Sequence, residues 1–203
     1  QRMKRYGLTT LELLVALGVT TITGLGVATV ITSVSRGVTD MNATRGAMQR
    51  AATSHARLRA YADTALCLLA SDTRGFALWA HDDRSNGAVN VSELRVFWTD
   101  PDSDEIVVEF VSFPGAMTEK EQAALDLLVA GAEDPFVAMT AQRALGFTDE
   151  VILADGVSSV AVAHAERDPR DSPRFRVTVG FDGGSDERSL LMAVGLTQHR
   201  RPL

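Results

Sequence analysis

Two hydrophobic patterns follow one another along the first seventy residues. Positions 13–35 carry no charged side chain, and the apolar run that contains them starts at position 8 with Glu12 as its one ionisable group. At 1.5 Å per residue, a helix over 8–35 is roughly 40 Å long and crosses a hydrocarbon core of about 30 Å. The hydroxyls of Thr9, Thr10, Thr20, Thr21, Thr23 and Thr29 can turn back to helical carbonyls, while Gly18, Gly24 and Gly26 weaken the helix locally. From position 36 the pattern turns amphipathic. Val38, Met41, Met48, Ala52, Leu58, Ala62, Ala65, Leu66 and Leu69 recur near helical spacing, with Arg36, Arg45, Arg50, Arg57, Arg59 and Asp63 on the other side. No proline interrupts the chain before Pro101. The spacing predicts one continuous helix over 8–69, a membrane-spanning half at 8–35 followed by an amphipathic half at 36–70 whose apolar stripe is core.

Strand signals come next. Segments 76–81, 93–99 and 105–113 alternate or run apolar, separated by Arg84-Ser85-Asn86-Gly87 and Asp100-Pro101-Asp102-Ser103-Asp104, which predicts an antiparallel meander. Thr118 with Glu121 three places on forms a capping box that opens a helix over 118–129, with Ala124, Leu125, Leu128 and Val129 as its face. Residues 130–146 show no clear period and read as a loop with a helical turn. Strands resume at 151–153, 157–165, 175–181 and 190–197. The expected class is α+β, a long N-terminal helix packed on a β-rich head at 71–203.

Composition and charge narrow the partners. A chain of 203 residues suits one domain plus an appendage. A net charge of -6 and a pI near 5.2 disfavour nucleic acid as the primary ligand. Arg2, Lys4 and Arg5 precede the apolar run, whereas Arg36 is offset by Asp40. The positive-inside tendency therefore keeps the N-terminus cytoplasmic and exports the chain beyond position 35. Cys67 is the only cysteine, so neither an intramolecular disulfide nor a multi-cysteine metal site forms. At the end of the predicted helix among Leu66, Leu68 and Leu69, it is expected to be a buried thiol.

Three plainer readings of the apolar run compete. A cleavable secretory signal has a shorter apolar stretch ending in small residues, and this run continues into a charged helical pattern instead. A simple anchor explains the length but not Glu12, because an acid in a membrane helix costs about 2.5–3.5 kcal/mol on insertion scales. A soluble core helix is rarely so long.

The octet Gly7-Leu8-Thr9-Thr10-Leu11-Glu12-Leu13-Leu14 behind basic Lys4-Arg5 resembles the processing motif of type IV prepilins and type II secretion pseudopilins. The resemblance implies that residues 1–7 are a leader, that a membrane peptidase cuts after Gly7, and that the new amino terminus at Leu8 is methylated. It assigns Glu12 to assembly, pairing with the amine of Leu8 on its own or a neighbouring subunit. Leu8 and Thr10 depart from the commoner residues of the motif, while Gly7 and Glu12 keep it. More weakly, Ile152-Leu153-Ala154-Asp155-Gly156-Val157-Ser158-Ser159 and the proline-led strand after Pro173 are similar to J-type minor pseudopilins and related minor pilins, whose heads carry paired antiparallel sheets. The expected function is a structural minor pseudopilin that helps start or cap a type II secretion pseudopilus. The expected location is the bacterial inner membrane, with the head periplasmic. Implied partners are other minor and major pseudopilins or pilins, the prepilin peptidase and the inner-membrane assembly platform. A minor pilin for adhesion, motility or DNA uptake is the alternative within the family, and a non-polymerising tethered binding domain the alternative outside it.

Candidate chemistry elsewhere is thin. Asp100, Asp102 and Asp104 alternate like the start of a calcium loop, but Glu105 and Val111 stand where its glycine and closing glutamate belong, so a hairpin turn is the better reading. Asp82, Asp83 and Asn86 read as another solvated turn. His55, His81, His164 and His199 have no zinc-ligand spacing, and neither a phosphate loop nor a serine elbow is present. No cofactor, metal site or catalytic residue is expected. Trp79 and Trp98 are expected to pack across adjacent strands, or at an interface where exposed.

Overall fold

The computed structural model describes residues 9–100, 104–129, 133–182 and 187–203. The chain divides into two compact units, Gln1–Ala43 and Thr44–Leu203, and helix α1 (Thr10–Thr64) begins in the first and ends in the second. In its apolar stretch α1 reaches a mean hydropathy of 2.0 with no residue buried, so it is long and apolar enough to cross a membrane. Thr20, Thr21, Thr23, Thr29 and Thr32 each donate a hydroxyl to the carbonyl four residues back, at 2.7–2.8 Å. These hydroxyls are satisfied within the helix, so they present no unmet donor to its surroundings.

The second unit is built on two antiparallel sheets, which gives the α+β class. The larger contains, in order, β1 (Cys67–Asp72), β2 (Gly75–Trp79), β3 (Leu94–Asp100), β4 (Glu105–Val111) and β5 (Thr148–Asp155). The smaller contains β6 (Val157–His164), β7 (Arg174–Asp182) and β8 (Glu187–Gly195). Within each sheet, every strand pairs with its neighbour in sequence. Gly156 alone separates β5 from β6, and its φ of +62° is the left-handed turn that carries the chain from one sheet to the other.

Side chains on β2 alternate between two cores. Phe76 and Leu78 face a cluster shared with the C-terminal part of α1 and the smaller sheet: Leu58, Ala62, Phe97, Ile106, Val108, Phe175, Val177 and Phe181. Ala77 and Trp79 face the opposite cluster, with Leu94, Val96, Val129, Phe136 and Met139. Phe76 and Phe97, opposite each other in the ladder, stack with centroids 4.2 Å apart, and Tyr61 of α1 meets Phe97 edge-on at 5.5 Å.

Several expectations change. The helix stops at Thr64, not at 69, because Leu66 donates its N–H to the Trp79 carbonyl at 2.7 Å and leads into β1. Cys67 therefore opens a strand instead of closing a helix. Leu66, Cys67, Leu68 and Leu69 are all buried, so the segment lacks the alternation by which a strand is recognised. The core stripe of α1 also shifts. Ala47, Ser54, Leu58, Ala62 and Ala65 are buried, whereas Met48 and Ala52 are exposed. Val38 and Met41, in the first unit, are exposed as well. Arg57 turns toward the head and donates to the carbonyls of Ile152 and Leu153 at 2.9 and 3.3 Å, capping the free edge of β5. The capping box of Thr118 and Glu121 is present, but its helix α2 (Glu119–Leu125) is shorter than expected and buries no residue. Within 130–146 lies a ten-residue helix, α3 (Pro135–Ala144), capped by Asp134 and led by Pro135, with Phe136 and Met139 seated on the larger sheet.

Leu58 fills the centre of the shared core, so Leu58→Ala is expected to cost about 2–5 kcal/mol in urea unfolding. Met48→Ala, on the exposed side of the same helix, is expected to change stability by less than about 0.5 kcal/mol.

Candidate functional site

The processing motif ends inside α1. Gly7 and Leu8 lie outside the described residues, as do basic Arg2, Lys4 and Arg5. Glu12 is exposed in the first turn of α1. Its Oε2 accepts the backbone N–H of Thr9 at 2.8 Å and the Thr9 hydroxyl at 2.9 Å, while the Glu12 N–H donates to Thr9 Oγ1 at 3.3 Å. Thr9 and Glu12 thus form a reciprocal N-terminal cap. By sequence Glu12 is paired only with the amine of Leu8, yet the threonine three places before it is the signal for this cap. The cap holds the carboxylate at the very start of the helix, against the N–H of Thr9. There it meets the orphan N–H groups and the positive end of the helix dipole.

Other singled-out residues take the following places in the fold. The backbone of Asp100 lies opposite that of Glu105 in the β3–β4 hairpin, Asp102 lies outside the described residues, and the backbone carbonyl of Asp104 accepts the Val157 N–H at 2.8 Å. No group of three or more His, Cys, Asp or Glu is placed to hold a metal among the described residues. Trp79 is fully buried and Trp98 half-buried. They sit opposite Leu94 and Gly75 respectively, so they do not pack on each other as cross-strand partners. Burial pushes the Cys67 thiol up to about 12, with smaller effects from Arg170, Asp168, Arg201 and Asp171.

Buried carboxylates escape sequence reasoning because single acids, whether in a strand or a loop, carry no pattern. Glu93 accepts Trp79 Nε1–H and the N–H groups of Arg84 and Asn90, each at 3.1 Å. Asp126 takes two bonds from the Arg84 guanidinium, at 2.9 and 2.7 Å, and two from Ser92, both at 2.9 Å. Asp82 is no free turn residue, since it accepts from the N–H groups of Asn86 and Gly87. Glu109 on β4 receives Trp98 Nε1–H at 2.6 Å and the Arg143 guanidinium at 2.8 and 2.5 Å, which ties α3 to the sheet. Burial raises the Glu109 pKa, but hydrogen bonds from Arg143, Thr148 and Trp98 and the charge of Arg143 outweigh it and hold the carboxyl below its ordinary range.

A lowered folded pKa makes Glu109 stabilising above its unfolded value of about 4.3, and that contribution disappears as pH falls through the lower folded value. Unfolding titrations are expected to show a steeper acid loss for the native protein than for Glu109→Gln, with the difference confined to pH below about 4.3. Cys67 is expected to stay unmodified by an aromatic disulfide reagent at pH 8 in the folded protein and to react promptly in urea. Comparison with protein-family models, curated proteins and solved structures returns no match for this chain.

Proposed function

We propose that the chain is a type IV pilin-like membrane subunit, most like a minor pseudopilin that starts or caps a secretion pseudopilus. One observation carries the reading: an acid stands alone in the otherwise uncharged apolar run over 8–35, five places after a glycine that is preceded by basic residues. Cleavage after Gly7 would turn the Leu8 nitrogen into an ammonium group at the start of α1. Glu12 already reaches back to the N–H of Thr9, and the new amine would belong to the residue immediately before Thr9 in the sequence. In apolar surroundings a carboxylate and an ammonium are each strongly disfavoured alone, and pairing them removes much of that penalty. Pairing within one chain readies the subunit, and pairing between chains fixes the axial register of stacked helices. The back-bonded threonines support the same reading, because they leave the helix surface apolar enough for lipid or for other helices.

Mass spectrometry of the protein from its native membrane is expected to find Leu8 as a methylated amino terminus with residues 1–7 gone. Glu12→Ala is expected to insert and be processed normally but to fail in assembly. An intact leader on a protein that stays solitary in the bilayer would instead point to a tethered binding domain, and normal assembly of Glu12→Ala would remove the acid from the mechanism.

A further inference from the structure

The loop between β2 and β3 carries Asn86-Gly87. In such a pair the backbone nitrogen after the asparagine, unhindered by a side chain of its own residue, is well able to attack the asparagine amide. The fold demands the glycine: its φ is +74°, and a Cβ there would stand 2.8 Å from the Arg200 guanidinium. It uses both ends of the asparagine amide as well. Asn86 Oδ1 accepts the Ala88 N–H at 2.9 Å, and Nδ2–H donates to Asn90 Oδ1 at 3.0 Å. The labile pair is therefore built into the turn. The same contacts hold the reaction off. Attack needs the Gly87 nitrogen to give up its proton and approach Cγ of Asn86. In the closed loop the Gly87 N–H donates to Asp82 Oδ2 at 3.2 Å and the Asn86 N–H to Oδ1 of the same carboxylate at 3.1 Å. A nitrogen that must become anionic is disfavoured beside a carboxylate, and a side chain tied at both ends is not free to turn. Asp82 is itself fixed, since only 8% of its side chain is exposed and it pairs with Arg200 at 2.8 Å.

We propose that Asn86 is a spontaneous deamidation site gated by this loop, reacting when the loop opens and opposing its closure afterwards. In the open loop the Gly87 nitrogen loses its proton to water and bonds to Cγ of Asn86. The Cγ–Nδ2 bond breaks, and the amide nitrogen takes up a proton and leaves as ammonia. Water then opens the five-membered imide at either carbonyl, leaving aspartate or isoaspartate at position 86. Either product adds a negative charge beside Asp82 and lacks the amide donor. Asn90, which is buried, cannot turn over to compensate, because its Nδ2–H donates to the Asp126 carbonyl at 3.1 Å. The neighbouring Val89 carbonyl takes the Val129 N–H at 2.8 Å, so Val89 and Asn90 together join the loop to the segment after α2. Modification loosens that join, in one direction and without a protein partner. The chemistry is independent of processing at Gly7.

The test follows the proteolytic peptide that carries Asn86 by mass spectrometry while the detergent-solubilised full chain is held at mildly alkaline pH. Conversion at Asn86 is expected to be at least about tenfold slower in the folded chain than in the same chain unfolded in guanidinium chloride. Hydrogen exchange reads the consequence. In Asn86→Asp, amides over 86–90 are expected to exchange at least about tenfold faster than in the native chain, while those of β7 stay protected. Should that variant fail to fold, Asn86→Ser, which drops the donor to Asn90 without adding a charge, is expected to show a smaller rise at the same amides. Equal conversion in folded and unfolded chains, or none in either, would overturn the gated site. Native exchange over 86–90 in the variant that folds would overturn the loosening.

Discussion

Both sheets close on one narrow face of α1, and the small side chains of that face set how the head packs. Ala47 and Ala62 are buried there with Leu58, Ala51 is partly buried beside them, and Ala65 is buried just past the end of the helix. Alanine lets the helix approach the sheets closely, so that Phe76 and Phe97 of one sheet and Phe175 and Phe181 of the other fill a single core under it. Larger residues on this face would push the sheets from the helix, and overpacking of that kind typically costs about 1–3 kcal/mol. Leu58 is the one bulky side chain the face buries completely, and its neighbours are arranged around it.

The second core is organised by charge as much as by apolar area. Glu93, Asp126 and Glu109 are buried, and each gathers donors from elements remote in sequence. Glu93 and Asp126 lock the loop before β3 onto the segment after α2, while Glu109 fastens α3 through Arg143. An acid with all its partners rigidifies such a region, and one that loses a partner becomes a buried unpaired charge. The arrangement of loops on this side of the sheet is thereby confined to one geometry.

Patterns with a period are legible in the sequence. The apolar run, the strands of the meander and the Thr118 capping box all appear near their expected places. Features without a period are not. The junction at Ala65 and Leu66 is hidden because an apolar run buried on both faces looks alike in helix and strand. The methionines at 41 and 48 outrank alanines by hydrophobicity, yet the alanines form the core because they let the helix come close. The Asp134-Pro135 start of α3 is a readable cap set in a segment with no apolar rhythm to draw the eye. At the N-terminal end, the motif residues are legible as chemistry, but the cap between Thr9 and Glu12 emerges only when backbone and side chain are seen together.

The order of the sheets has a kinetic consequence. Because β1 to β5 pair in succession and β6 to β8 do likewise, each strand finds a partner in its immediate neighbour along the chain. The tightly connected pairs β1–β2, β3–β4 and β7–β8 are hairpins, which close within microseconds in isolated examples, whereas β4 and β5 join only across the long segment that carries α2 and α3. A head so wired can acquire structure from its first strand onward, in the order in which its residues are synthesised.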